Sequence, residues 1–159
     1  MTAELQDSKK LLEDITGSEI YGYRAPSFSI DNDILKIIED CGYLYDSSYN
    51  SFGLHGRYGR ISLKGRGKFG IAYELSDNFY ELPISNLRFA GKTLPWGGGG
   101  YFRLIPYRFF MHGVQSILKK DGAYVFYAHP WEIDSEQPKV GEASYQLKFR
   151  HYIYIKKTA

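Results

Sequence analysis

Cysteine is almost missing from this sequence, with the single residue Cys41 in 159 positions. An internal disulfide is therefore excluded, and the chain fits a reducing compartment. Cys41 falls in an apolar helical pattern with Ile34, Leu35 and Ile38. This pattern predicts a small core residue.

Long apolar runs are missing as well. No stretch approaches the roughly 18 apolar residues that a membrane-spanning helix needs. The first ten residues, MTAELQDSKK, lack the apolar segment of a signal peptide. We therefore expect neither a membrane span nor a signal peptide, and the location is cytoplasmic or unknown.

The sequence also has little excess charge, with a net charge of only +2. A charge this small gives no argument for a nucleic-acid partner. Charged residues make up 24% of the chain and hydrophobic residues 43%, which is typical of a globular protein. The length predicts a single domain over residues 1–159.

Histidines are few, and their spacing does not favour a metal site. The four are His55, His112, His129 and His151, and no pair has the i, i+4 spacing of two ligands on one helix face. We expect no metal ligands and no cofactor in this chain. The glycine run at residues 97–100 lacks the Lys-Ser/Thr of a phosphate-binding loop, so a backbone lying close to a ligand is the better interpretation.

Aromatic residues, in contrast, are plentiful. Fifteen Tyr, ten Phe and two Trp make up 17% of the chain. Aromatic planes with polar tips suit clefts that bind sugars, because sugars present C–H faces and many hydroxyls. The alternative is that these rings simply fill a strand-rich core, and composition does not decide between the two.

Hydrophobic periodicity and turn residues predict an alternation of helices and strands. Helices are expected over residues 5–15 (ending at Gly17), from Asp31 or Asn32 to about Cys41, and over 107–120. Strands or extended segments are expected over 20–24, 43–46, 81–84, 123–128 and 145–155. Long loops are expected over 47–80, with a short hairpin, and over 86–104. This order is typical of an α/β fold with a parallel sheet.

Three polar residues follow predicted strands: Arg24, Asp46 and His129. Sites in parallel sheets form at the carboxyl ends of the strands. Arg24 precedes a rigid Ala-Pro turn, and a guanidinium fork there can hold a carboxylate. His129 can act as a general acid near neutral pH. A loop-anchoring Arg24 and a structural His129 remain the alternatives.

Several motifs resemble the polysaccharide deacetylases that carry the nodulation-protein-B homology domain. The resemblance is carried by residues 22–30 (GYRAPSFSI, an Arg-x-Pro motif), 42–48 (GYLYDSS), 97–103 (GGGGYFR), 129–134 (HPWEID), 137–138 and 150–152 (RHY). The motifs are similar to those of an exopolysaccharide-associated, peptidoglycan-deacetylase-like subgroup and run in order along almost the whole chain.

This resemblance implies a distorted (β/α) barrel that removes acetyl groups from N-acetylated sugars of a polysaccharide or a peptidoglycan-like glycan, usually with zinc or a similar divalent ion. It also implies individual roles. Arg24 would orient the catalytic-base Asp, the Ser27 backbone N–H would stabilise the oxyanion, and His129 would protonate the leaving amine. Asp46, Tyr101 and Trp131 would lie near the substrate.

The sequence departs from the family pattern before Arg24, where the catalytic-base Asp and the metal ligands belong in family order. Only 23 residues precede Arg24 here, with Asp7 and Asp14 on a helix and no histidine. We therefore expect a partial barrel that lacks its first strands and is inactive alone. A glycan-binding or interaction remnant without catalysis is the alternative. The strand at residues 20–24 would lose a neighbour, which predicts a homodimer at that edge or cover by the N-terminal helix.

Overall fold

The computed structural model describes residues 1–52, 61–139 and 141–157, apart from the side chains of Arg150 and Lys157. The chain forms two compact units, residues 1–84 and 85–159, which are described separately below. The single domain over residues 1–159 stays a prediction, because one domain can contain two compact units.

Unit 1 combines two helices with one mixed sheet. The helices are α1 (Thr2–Thr16) and α2 (Asn32–Asp40), and the strands are β1 (Gly22–Tyr23), β2 (Tyr45–Asp46), β3 (Lys68–Phe69), β4 (Ala72–Ser76) and β5 (Phe79–Glu81). The strand order is β1-β2-β5-β4-β3. The first three are parallel to one another, and the rest of the sheet is antiparallel.

Both helices of unit 1 begin or end where the sequence predicts. Helix α1 ends at Gly17, whose left-handed φ of 64° carries no steric cost in glycine. Helix α2 begins after Asp31, whose carboxylate accepts the Ile34 N–H at 2.8 Å. The core joins both helices to the sheet and includes Leu5, Ile30, Leu35, Ile38, Tyr43 and Phe79.

The parallel register aligns the carboxyl ends of three strands. Tyr23 pairs with Asp46, and Asp46 pairs with Glu81. Side chains at paired positions point to the same face of a sheet. Asp46 and Glu81 therefore lie side by side, and Arg24 is the first residue beyond this row.

Unit 2 combines a hairpin with three helices. Its elements are β6 (Asn86–Phe89), β7 (Lys92–Pro95), α3 (Gly99–Leu104), α4 (Tyr107–Asp121) and α5 (Tyr145–Tyr152), with short 3-10 turns at Pro130–Glu132 and Ile155–Lys157. Trp96, Phe110, Val114 and Ile117 form its core. A Cβ at Gly113 would stand 2.3 Å from the Trp96 ring, so glycine is required for this close approach.

Three predicted elements of unit 2 are wrong. Residues 86–104 form the hairpin β6–β7 and helix α3 rather than a long loop. The hairpin turns at Ala90 and Gly91, which both have positive φ, as tight hairpins require. Residues 145–155 are mostly helical, and Ser144 accepts the Leu147 N–H at the start of α5. The helix formers Gln146, Leu147 and Lys148 outweigh the aromatic residues around them.

The third error is the strand predicted over residues 123–128. Within the described residues this segment makes only one isolated parallel bridge, between Tyr127 and Gly98. Its apolar character reflects packing on helices, because the Phe126 ring meets Phe102 at 6.0 Å and Phe110 at 6.5 Å. An apolar run can cover helices as well as join a sheet, and periodicity alone does not separate the two.

The predictions for unit 1 are closer to the structure. The strands predicted over 20–24, 43–46 and 81–84 are observed in shortened or shifted form as β1, β2 and β5. The loop predicted over 47–80 contains β3, β4 and the start of β5. Residues 53–60 of that loop lie outside the described part of the chain. The fold is mixed α/β with a five-stranded mixed sheet, and the described strands do not close a barrel. None of the helices described is long and apolar enough to span a membrane.

Candidate functional site

The Arg24 guanidinium lies on the end of β1, and the residue that follows β2 holds it in place. Its Nε donates to the Ser47 carbonyl at 2.8 Å, and its Nη2 donates to Ser47 Oγ at 2.7 Å. Ser47 Oγ in turn donates to the Leu82 carbonyl at 2.7 Å. Two directed hydrogen bonds fix the plane of the guanidinium. Arg24 itself stays exposed.

Ser27 lies in a strained turn directly after Pro26. Ser27 and Phe28 have φ of 55° and 56°, in the left-handed region that non-glycine residues rarely adopt. Such strain persists only where neighbouring structure holds it. Ser27 is exposed, and within the described part of the chain its N–H has no hydrogen-bond acceptor. A backbone donor of this kind is what an oxyanion needs.

Asp46 and Glu81 form a fully buried carboxyl pair beside this turn. Ser48 donates to Asp46 twice, from Oγ and from its N–H, each at 2.8 Å. Ser48 Oγ also accepts the Ala25 N–H at 2.7 Å, which ties the pair to the turn. Glu81 accepts the Tyr49 N–H at 2.9 Å through Oε1.

The carboxyl pair holds a proton. Burial, and next the negative charge of Asp46, raises the pKa of Glu81 to about 10. Burial also raises the pKa of Asp46. Glu81 is therefore neutral at pH 7, and its acid hydroxyl donates to Asp46. This proton explains why Glu81 Oε2 has no hydrogen-bond donor facing it.

His129 lies in unit 2 at the start of the 3-10 turn Pro130–Glu132. Its backbone N–H donates to Glu132 Oε2 at 2.9 Å, and its carbonyl accepts the Glu132 N–H at 2.9 Å. The backbone is thus held on both sides while the side chain is exposed. This arrangement presents an imidazole to solvent from a fixed position.

A buried ion pair between Arg103 and Glu132 stabilises the 3-10 turn Pro130–Glu132. Arg103 Nη2 contacts Glu132 Oε1 at 2.9 Å, and the two side chains are only 1% and 6% exposed. Arg103 Nη1 also donates to the carbonyls of His151 and Ile153, at 3.0 and 2.8 Å. A Cβ at Gly99 would stand 2.5 Å from Glu132 Oε2, so only glycine leaves room for this carboxylate.

The Trp131 ring is covered by a second histidine. The His151 ring stacks on it with centroids 3.9 Å apart, and the His129 ring lies nearly parallel to it at 5.7 Å. Gln137 connects His151 with Trp131. Its Oε1 lies 2.8 Å from His151 Nε2, and its Nε2 donates to the Trp131 carbonyl at 2.7 Å. The indole is therefore one member of a packed stack.

The predicted site residues fall into two groups. Unit 1 contains Arg24, Ser27 and Asp46, and unit 2 contains Tyr101, His129 and Trp131. The Ser47–Ser48 segment connects Arg24 with Asp46, whereas Tyr101 lies half-buried in α3. Asp46 has no exposed surface, and its contacts are those of a buried structural carboxyl. Its role near the substrate, like the roles of the other five residues, stays a prediction.

No role was predicted for the residues that support these groups: Glu81, Arg103, Glu132, Gln137 and His151. All of them except Glu81 lie in the motifs that carry the resemblance, and Glu132 also had a local structural signal. In His129-Pro130-Trp131-Glu132 a Pro occupies the first helical position and a Glu the third, which is typical of a capped helix start. Glu81 had none, since a carboxyl in an extended segment gives no sign of burial.

The described residues do not fit a divalent metal. Among them, no three His, Cys, Asp or Glu side chains are grouped so as to hold an ion. Asp46 and Glu81 are the nearest approach to a ligand set, yet Ser48 donors occupy the first and a proton neutralises the second. Metal ligands must be deprotonated and free to coordinate. No chemical step is therefore assigned to a metal held by these residues.

The chain is a mixed α/β protein with an exposed Arg24 near one turn and an exposed His129 at another. A comparison with family models shows the family to which it belongs. A family model described as "Domain of unknown function (DUF3473)" matches residues 47–159. The match covers more than two thirds of the sequence, so the chain belongs to this family. The matched residues include His129 but not Arg24. Comparisons with curated proteins and with solved structures give no match.

Proposed function

We propose that this chain belongs to a polysaccharide deacetylase, a hydrolase that removes acetyl groups from N-acetylated sugars, and that it forms part of a distorted (β/α) barrel. The observation that carries the proposal is the His129 turn. An exposed imidazole stands on a backbone that a buried ion pair holds in place. The resemblance of residues 22–30 and 129–134 to deacetylase motifs supports the same activity.

In this proposal His129 acts on the leaving group. When the tetrahedral intermediate collapses, the C–N bond breaks and the imidazolium of His129 gives its proton to the departing sugar amine. The Ser27 N–H donates to the oxygen that becomes negative during attack. Arg24 holds the carboxylate that serves as the base. The described residues supply neither this base nor a metal site, so we propose that the isolated chain is inactive.

The test is a substitution in a form of the protein that releases acetate in the presence of a divalent metal. His129→Ala should lower the rate of acetate release from acetylated chito-oligosaccharides by a factor on the order of 10²–10⁴, with little change in oligosaccharide affinity. His112→Ala, at an exposed position on α4, is the matched control. Unchanged turnover in the His129 variant would remove this residue from the mechanism.

A second candidate function is glycan binding without catalysis. This candidate is favoured because no three metal-binding side chains lie together among the described residues. The two candidates differ in what the protein does with zinc. Calorimetry with zinc and an acetate-release assay decide between them: zinc-dependent acetate release supports the enzyme, and oligosaccharide binding without either supports the binding module.

A further inference from the structure

The Arg103 side chain donates three hydrogen bonds in unit 2, one to Glu132 and two to backbone carbonyls near the end of α5. The side chain is 1% exposed. Burying an ion pair gives little net stability, although removing one partner is costly. The buried Arg103–Glu132 pair is therefore better explained by the backbone conformation that its hydrogen bonds fix.

On one side, Arg103 fixes the turn that carries His129. Glu132 uses Oε1 for Arg103 and Oε2 for the His129 N–H, each at 2.9 Å. The carboxylate therefore transmits the position of the guanidinium to the backbone of His129. Gly99 leaves the space in which this carboxylate lies.

On the other side, Arg103 fixes the end of α5. The carbonyls of His151 and Ile153 belong to the last turn of a helix and the residue after it, where no intrahelical donor remains. Arg103 supplies that donor. The same contact sets the position of the His151 ring, which covers Trp131 at 3.9 Å.

We propose that Arg103 is the positioning residue of the His129 turn, clamping that turn and the C-terminal helix α5 into one arrangement. The inference rests on the proposed function in the sense that His129 is the group being positioned. Lysine cannot replace Arg103, because one ammonium group cannot reach a carboxylate and two carbonyls in a planar fork.

The inference can be tested by NMR on the chain as it stands, without turnover. The variants are Arg103→Met and Arg103→Lys, and Arg108→Met on the exposed surface of α4 is the matched control. The two tryptophans report on different parts of unit 2. The Trp96 Nε1–H donates to the Phe110 carbonyl at 2.9 Å and reports on the core, whereas Trp131 reports on the turn.

In both Arg103 variants the Trp96 indole signal should stay in place. The His129 amide should exchange with solvent roughly tenfold faster or more, which is the loss expected for a charge-assisted hydrogen bond. The His151 ring protons, displaced by the Trp131 ring current, should move towards the shifts of exposed His112. Arg108→Met should change none of these signals.

Wild-type amide exchange and His151 shifts in both Arg103 variants would overturn the inference. Loss of the Trp96 signal in both would also overturn it, because Arg103 would then stabilise the core as a whole. Neither readout depends on deacetylation. The inference can therefore fail while the His129→Ala experiment succeeds, and the reverse also holds.

Discussion

Glu81 is the residue whose environment departs furthest from what its chemical type leads one to expect. It lies in the sheet with no exposed surface, next to a second carboxyl. Water would ionise it, whereas the fold keeps it neutral and uses its proton as a hydrogen-bond donor. A single proton thus connects β2 with β5, and through Ser48 it also supports the turn after Arg24.

This proton makes the stability of the protein depend on pH. The pKa of Glu81 rises from an ordinary 4.5 to about 10 on folding. The unfolded chain releases the proton above pH 4.5 and the folded chain keeps it, so the free energy of unfolding falls as pH rises through this window. The slope approaches about 1.4 kcal/mol per pH unit for one proton.

Glu81→Gln should therefore remove that slope. The amide donates to Asp46 as the acid does, and it cannot ionise. Urea unfolding at pH 5, 7 and 9 should show the variant gaining stability over the wild type as pH rises. Glu74→Gln, on the adjacent strand β4, should keep the wild-type slope because Glu81 is still present. Equal slopes in the Glu81→Gln variant and the wild type would show that Glu81 is already ionised in the folded protein.

At the scale of elements, helix α3 approaches the Glu132 carboxylate of the His129 turn closely at Gly99. Gly99 and Gly100 are consecutive residues of α3 with different surroundings. A Cβ at Gly99 would stand 2.5 Å from the Glu132 carboxylate, whereas a Cβ at Gly100 would find its nearest neighbour at 3.8 Å. The two positions are a matched pair for separating packing from helix propensity.

Gly100→Ala should stabilise the protein by about 0.5–1 kcal/mol, because alanine favours a helix over glycine. Gly99→Ala carries the same propensity gain, but the new methyl group must displace a buried carboxylate. The net effect should be a destabilisation of about 1–3 kcal/mol. Thermal unfolding of the two variants compares them directly. Equal melting temperatures would show that Glu132 moves aside without cost.

Helices α1, α2 and α4 were predictable from sequence because their signals are local, whereas α3 and α5 were not predicted. Asp31 caps α2 and Gly17 ends α1 with positive φ, as the sequence indicates, and Gly122 ends α4 in the same way. The run at residues 123–128 was not predictable in the same way. Whether its aromatic side chains join a sheet or cover helices depends on distant residues such as Phe110.

The candidate site was partly predictable for the same reason. Arg24 lies two residues before Pro26 and His129 directly before Pro130, and the turns at these prolines are visible in the sequence. Their partners are distant in sequence: Arg24 bonds Ser47, and Arg103 lies 29 residues from Glu132. A single sequence carries no signal for such pairings, so the contacts of Glu81 and Arg103 could be found only from the fold.

For the whole molecule, the open question is self-association. In the described sheet β1 is an edge strand that pairs only with β2. The Glu13 carboxylate accepts the Ile20 N–H at 3.0 Å, so α1 protects one backbone donor near this edge. Leu11 and Ile15 on the same helix are 59% and 71% exposed. We propose a symmetric dimer that covers this edge and the apolar side of α1.

Light scattering across a dilution series measures this association. Ile15→Glu should shift the protein towards monomer, because a charge at the centre of an apolar interface must be desolvated. Phe89→Glu, which replaces a 69% exposed ring in the β6–β7 hairpin, is the matched control. A wild-type chain that stays monomeric at high concentration would contradict the dimer.

The buried proton on Glu81 also changes how the protein behaves as a charged particle. The formal net charge of +2 counts Glu81 as ionised. With that carboxyl neutral, the folded chain carries +3 at pH 7. The isoelectric point of the folded protein should therefore lie above the value of about 8.5 that its composition gives. On native isoelectric focusing the chain should band at a more basic position than it does in urea, and Glu81→Gln should move only the urea band.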